Sequence, residues 1–159
     1  MVQTATGRDE LRILVVDDED VVRQSLERWF TEDGYQVRTA SDAAQALREL
    51  QVGHFDLALV DIKMPGMDGI ELQRRLQEID PSLTVIMITA YASVDTAVQA
   101  LKQGAFDYVT KPVDPDHLTH IVANAVKQKR LALEKTRLED EVAPLFALQL
   151  QPQRREFLR

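Results

Sequence analysis

Five short segments rich in β-branched and apolar residues recur along the chain: Leu11–Val16, Tyr35–Thr39, Phe55–Val60, Leu83–Ile88 and Phe106–Val109. Their length and composition predict strands, and Leu11–Val16 is continuous enough to be covered on both faces. Between them the apolar residues return every three or four positions, the period of a helix with one buried side. Glu19–Phe30 places Val22, Leu26, Trp29 and Phe30 on one side, with Gly34 where a C-terminal cap belongs. Ser41 is the expected N-cap of a second helix carrying Ala44, Leu47 and Leu50 inward, ended by Gly53. Ile70, Leu72, Leu76 and Ile79 mark a third helix that stops before Pro81. A fourth runs from Ser93 to Gln103, with Val94, Ala97, Val98 and Leu101 on one face and Gly104 after it. Asp114-Pro115 combines a capping side chain with a proline at the first helical position, and Leu118, Ile121, Val122, Ala125 and Val126 form the inner face that follows.

Strands alternating with helices in this way predict an α/β fold, a doubly wound five-stranded parallel sheet with right-handed crossovers. The last helix overruns that plan. No Gly or Pro falls between Asp116 and Val142, so the helix would be roughly 40 Å long. Leu131, Leu138 and Leu145 recur at every seventh position, with Val142 between two of them. Gln128 and Lys135 take the other alternate positions and weaken the seam. Pro144 is expected to break or kink the helix. The expected division is a flexible start over 1–10, one domain over 11–128, and a helical, coiled-coil-like extension over 129–159 that frays at its end.

In an open parallel sheet, ligands bind outside the carboxyl ends of the strands. That rim is where the polar residues fall. Asp17 and Asp18 follow the first strand, Asp61 the third, Thr89 the fourth and Lys111 the fifth. Neighbouring carboxylates repel, so the site should raise a pKa or hold a divalent cation. Asp61, set before the loop Lys63-Met64-Pro65-Gly66-Met67-Asp68-Gly69, is the natural nucleophile, since a carboxylate can accept a phosphoryl group. Asp17 and Asp18 supply hard oxygens suited to Mg²⁺. Lys111 offers a point charge and Thr89 a hydroxyl donor to a phosphoryl oxygen. Taken singly, each residue also reads as a cap, a turn or an ordinary strand end. It is their joint placement at successive strand ends that points to chemistry. Glu19 and Asp20 read as favourable charge at a helix N-terminus.

Bulk composition narrows the class further. A net charge of −7 argues against general binding of nucleic acid, which needs a basic surface. The chain has no cysteine, hence no disulfide framework and no thiolate metal site. No apolar run approaches the roughly 18 residues of a membrane span, and there is no secretory signal. A soluble, cytoplasmic protein without a membrane partner is expected.

The segments Val15-Val16-Asp17-Asp18-Glu19, Leu59 to Gly69, Ile88-Thr89-Ala90 and Lys111-Pro112 resemble the receiver domain of two-component response regulators, over about residues 10–128. The resemblance implies a flavodoxin-like strand order 2-1-3-4-5. It implies that Asp61 takes phosphate from a sensor histidine kinase. It implies Mg²⁺ held directly by Asp18, Asp61 and the main-chain carbonyl of Lys63, with Asp17 acting through water. Thr89 and Lys111 would contact the phosphoryl group, Lys111-Pro112 would be a cis peptide, and Tyr108 would be the aromatic that turns inward as Thr89 moves. The output face would be helix 93–103, strand 106–109 and the helix from Asp114, controlling homodimerisation and a transcriptional output. The only catalysis implied is the domain's own phosphotransfer and dephosphorylation.

The stretch Tyr91–Pro112, with Ala105-Phe106-Asp107-Tyr108-Val109, is most similar to receivers of the nitrogen-regulation class of sigma-54 activators. There a helical linker leads to an ATPase and a DNA-binding domain. This chain has no G-x-x-x-x-G-K-[ST] phosphate loop, which leaves a receiver-plus-linker fragment, the favoured reading, or a regulator with only a helical tail. Two alternatives stand beside it: a phosphate-independent interaction module on the same fold, and a small-molecule phosphatase. The phosphatase would want D-x-D at the first strand, which Asp17-Asp18-Glu19-Asp20 does not place correctly.

Overall fold

The computed structural model describes residues 11–90 and 94–158, with side-chain surroundings for 11–90 and 95–140. Five strands form one sheet: β1 (Arg12–Val16), β2 (Gln36–Ala40), β3 (Leu57–Asp61), β4 (Thr84–Thr89) and β5 (Asp107–Thr110). All pair in parallel, in the order β2-β1-β3-β4-β5. The helices are α1 (Asp20–Glu32), α2 (Ala43–Val52), α3 (Gly69–Ile79), α4 (Val94–Lys102) and α5 (Pro115–Leu158). The chain divides into two compact units, Met1–Ile121 and Val122–Arg159. The first holds the whole sheet, and α5 starts in it and runs on as the second. Among the described residues no helix is long and apolar enough to cross a membrane.

The continuous apolar strands are explained by cover on both faces. Leu14, Val16, Ala58, Val60, Val85 and Met87 join Ala46 and Leu50 of α2, Leu72 and Leu76 of α3 and Ala100 of α4 in one buried cluster. Ile13, Val15, Leu57, Leu59, Ile86 and Ile88 alternate with them along the strands and are buried too. Leu26 and Phe30 of α1 are buried, and α1 lies on β1 and β2. Burying each such side chain stabilises the fold by about 1.5–3 kcal/mol. Phe30 meets Tyr35 edge-on, ring centroids 6.0 Å apart. Gly34 turns the chain between α1 and β2 at φ +99°, which an L side chain resists.

Several expected details shift. The cap of α2 is Asp42 rather than Ser41: its carboxylate accepts from the Gln45 backbone N–H at 2.8 Å. The Ser41 N–H and hydroxyl instead bond Gln45 Oε1, a reciprocal cap one residue later than expected. The helix turns accordingly, so Ala43, Ala46 and Leu50 point inward while Ala44 is exposed. Among the described side chains of α4 the buried ones are Ala97 and Ala100, and Val98 and Leu101 are exposed. Small side chains let the α4 backbone come close enough for Gln73 of α3 to donate to the Ala100 carbonyl at 2.9 Å. Ile79 is likewise exposed at the end of α3. Strands β2 and β5 each start one residue later than their apolar segments. Tyr91 and Ser93, and the side chain of Val94, lie outside the described residues.

The largest difference is in α5. It continues through Pro144, where a break or kink was expected, and through residues 151–158, where a frayed end was expected. A proline removes one backbone hydrogen bond, but helix formers on both sides propagate the turn across it. At 44 residues, α5 is about 66 Å long. Leu118 and Ile121 are buried, as are Val122, Ala125 and Val126 of the second unit, whereas residues 131–140 are all exposed.

Candidate functional site

The carboxyl ends of β1, β3 and β4 and the segment after β5 bring Asp17, Asp61, Thr89 and Lys111 to one rim. Parallel register accounts for the alignment. Val16 lies opposite Val60, so the next residues, Asp17 and Asp61, emerge side by side. Thr89 closes β4 and pairs with Thr110, immediately before Lys111. The Lys111 N–H donates to the Thr89 carbonyl at 2.8 Å, tying the two ends together. The Lys111-Pro112 peptide is cis.

Lys111 is the hub of the charge distribution. Its Nζ lies 2.5 Å from Glu19 Oε1, 3.0 Å from Asp17 Oδ2 and 3.3 Å from Asp61 Oδ2. Asp17, Asp61 and Thr89 are buried. Asp17 is held further by the Glu19 N–H, which donates to Oδ1 at 2.8 Å. Arg23 donates to the Asp17 carbonyl at 2.7 Å. The Lys63 N–H donates to Asp61 Oδ1 at 3.3 Å. Burial, reinforced by the charge of Asp17, pushes the Asp61 carboxyl up to about 6 against the opposing pull of Lys111 and the Lys63 N–H. Burial also raises Asp17, against the pull of the Glu19 N–H and Lys111. For Lys111, burial disfavours the ammonium, but its bonds to Glu19 and Asp17 outweigh that and hold the pKa above the ordinary lysine range.

The loop after β3 positions Asp61 from below. Gly69 opens α3, donates its N–H to the Ile62 carbonyl at 2.8 Å, and lies against the backbone. A Cβ there would come within 2.2 Å of the Asp61 carbonyl oxygen, so only glycine fits. Asp68 caps α3 by accepting from the Glu71 N–H at 2.9 Å. Beside Lys111 an open hollow is lined by Glu19, Val22, Leu26, Trp29, Ala90 and Pro112.

The acids that converge are Asp17, Glu19 and Asp61, with one carboxylate oxygen of each within 4.8 Å of the others. Asp18 is exposed and outside this trio, and Lys63 is exposed. Glu19 enters the site although its position in the sequence suggested only a helix terminus. Its approach depends on the turn angle between β1 and α1, which no spacing rule reports. Tyr108 is half-buried on β5, against the core cluster under α2, α3 and α4.

This fold and rim are those of a receiver, and comparison with known proteins agrees. The family described as the response regulator receiver domain matches residues 13–123. The chain belongs to that family, whose members act in phosphorylation-dependent two-component signalling. It is 44% identical over 123 residues to the regulatory protein AtoC of Escherichia coli K12, covering 77% of this chain and 27% of AtoC. It is 40% identical over 144 residues to the response regulator protein PilR of Pseudomonas aeruginosa, covering 88% of this chain and 32% of PilR. The chain thus spans about a third or less of these relatives. Among solved structures, a CheY-like receiver domain protein from Methanospirillum hungatei superposes with a TM-score of 0.74 at 34% identity, covering 77% of this chain and 98% of that one. NtrX from Brucella abortus in complex with ATP superposes with a TM-score of 0.75 at 33% identity, covering 80% of this chain and 29% of NtrX.

Proposed function

We propose that this chain is a phosphorylation-controlled receiver whose acceptor is Asp61 and whose donor is a sensor histidine kinase. The observation that carries the reading is Asp61 buried at the rim, beside a second buried carboxylate and within 3.3 Å of a lysine ammonium. An Asp61 oxygen attacks phosphorus, the bond from phosphorus to the donor's imidazole breaks, and its electrons leave on the imidazole. Lys111 is placed to balance charge on the transferred group, and Thr89, at the next strand end, supplies a hydroxyl. Charge placement of this kind is most of what phosphoryl transfer requires.

The site also suits a divalent cation. Its donors are hard carboxylate oxygens, and the buried Asp17 Oδ2, though ion-paired with Lys111, accepts no well-aligned hydrogen bond. Asp17 and Asp61 would hold Mg²⁺, with Asp18 and the Lys63 carbonyl added by the family resemblance. When bound, the ion neutralises charge on the phosphoryl oxygens. Phosphorylation then biases a pre-existing equilibrium in which Thr89 and Tyr108 change position together.

The output reading is that α4, β5 and the start of α5 form the face that responds, and that α5 supports a homodimer. The relatives named as regulatory proteins are nearly three times as long, which supports a receiver-plus-linker segment of a transcriptional activator of the sigma-54 class. Incubation with acetyl phosphate and Mg²⁺ tests the core of the reading. A mass gain of one phosphoryl group, absent in Asp61→Asn, is expected. No gain from either acetyl phosphate or a kinase would overturn it. Sedimentation with and without beryllofluoride, on the full chain and on one ending near Lys127, tests the dimer. Monomers throughout would remove that part.

A further inference from the structure

We propose that Glu19 is a releasable counter-ion for Lys111. It positions the ammonium in the unphosphorylated protein and competes for it with a phosphoryl group on Asp61. The proposal rests on the receiver reading above.

Glu19 is the N-cap residue of α1, with extended backbone angles of φ −89° and ψ 116°, yet its side chain makes no capping bond. Short polar side chains such as Asp or Ser at this position ordinarily accept from the first-turn N–H groups. Here the carboxylate turns to Lys111 instead, and at 2.5 Å it is closer to Nζ than either Asp17 or Asp61. Its backbone is fixed by the N–H bond to Asp17 Oδ1. One residue therefore braces Asp17 through its main chain and Lys111 through its side chain.

A lysine ammonium has three N–H donors and no more. In this site it hydrogen-bonds Glu19 and Asp61 and is ion-paired with Asp17. Phosphorylation turns the Asp61 carboxylate into an acyl phosphate, so the phosphoryl oxygens take over that contact and compete with Glu19 and Asp17 for the ammonium. Asp17 sits buried at its strand end, with a second donor on Oδ1. The Glu19 side chain is 59% exposed, so water takes over its solvation at the least loss. It is therefore the partner that leaves. Until it does, it draws on the same charge that a phosphoryl oxygen needs, so it loosens the hold on the phosphoryl group. Glu19 is thus a positioning residue that acts through Lys111.

The test is a titration of beryllofluoride, a phosphoryl mimic, at saturating Mg²⁺. Trp29 fluorescence provides the readout, since it is the chain's one tryptophan and lines the hollow beside Glu19 and Lys111. Glu19→Gln is expected to bind beryllofluoride about two- to fivefold tighter than wild type, the range for releasing an exposed ion pair. Glu19→Ala should act in the same direction and covers the case in which the Gln amide oxygen still accepts from Lys111. Asp20→Asn, at the same helix start but paired with Arg23, should bind as wild type does. Equal or weaker binding in both Glu19 variants overturns the proposal. Equal tightening in Asp20→Asn also overturns it, because net charge would then be the cause. If the wild type itself fails to bind beryllofluoride, the receiver reading falls as well. If the wild type binds and only the Glu19 effect is missing, the receiver reading stands without the counter-ion.

Discussion

Strand β3 has a buried aspartate at each end, and the two live in opposite surroundings. Asp56, just before the strand, accepts the Arg12 N–H at 2.9 Å and lies 3.2 Å from the His54 ring. Its own N–H donates to the Arg12 carbonyl at 2.9 Å. It stitches the start of β3 to the start of β1. Asp61, at the far end, has a second buried carboxylate for a neighbour, and burial with that charge pushes its pKa up to about 6. The same residue type on the same strand is a structural pin at one end and a strained group at the other. Burial is common to both; Asp56 is tied to the main chain of Arg12, whereas Asp61 faces a second buried carboxylate across Lys111.

Substitutions should separate these roles. The largest effect is expected from Gly69→Ala, which drives a Cβ into the backbone under Asp61. A loss of about 3 kcal/mol, read by urea denaturation, follows from overpacking that no side-chain rotation relieves. Next is Asp56→Ala. It orphans the part-buried Arg12 N–H and should cost about 2 kcal/mol. If Asp56→Ala proved neutral, its role as a pin would be lost.

Asp61→Asn should do the opposite and stabilise the protein in Mg²⁺-free buffer at pH 7, by about 1–2 kcal/mol, given that one pKa unit corresponds to about 1.4 kcal/mol. The sign follows from linkage. The folded pKa, about 6, lies above the ordinary 3.8. The protonated carboxyl is therefore favoured in the fold, and wild-type stability falls as pH rises from 3.8 to about 6. The advantage of Asp61→Asn should be complete above that window and vanish below about pH 4, in paired thermal scans. A constant advantage at all pH values would contradict the assignment. Mg²⁺ should reverse the comparison by stabilising the wild type, by about 2.7 kcal/mol at a hundredfold over its Kd, and Asp61→Asn much less.

The smallest effect belongs to a carboxylate outside both settings. Glu49 pairs with Arg38 at 2.9 Å on the surface, and Glu49→Gln should cost no more than about 1 kcal/mol, less at high salt. A loss as large as that of Asp56→Ala would show that pairing with charge, not burial, sets the scale.

Much of this was legible from the order of residues. Short continuous apolar runs marked the strands and period-3.6 patterning the helices, because a sheet covered on both faces buries every residue and a helix buries one side. Asp17, Asp61, Thr89 and Lys111 could be assigned to one rim because parallel strands share an end. Helix phase was harder to read. The inward face of α2 turned on whether Ser41 or Asp42 caps it, and the buried stripe of α4 is alanine rather than the larger Val98 and Leu101. Such choices are settled by how closely neighbouring helices approach. The persistence of α5 through Pro144 belongs with them, since one lost hydrogen bond is weighed against the whole helix.

For the site, the sequence by itself determined which chemical groups stand at the strand ends, because topology alone gathers them. It could not rank those groups. The short Glu19–Lys111 contact, the exposure of Asp18 and the raised pKa of Asp61 depend on distances of a few ångströms and on how much water reaches each oxygen. Coulomb energy and desolvation vary steeply over that range, and only the folded arrangement of β1, the start of α1 and the segment after β5 sets it.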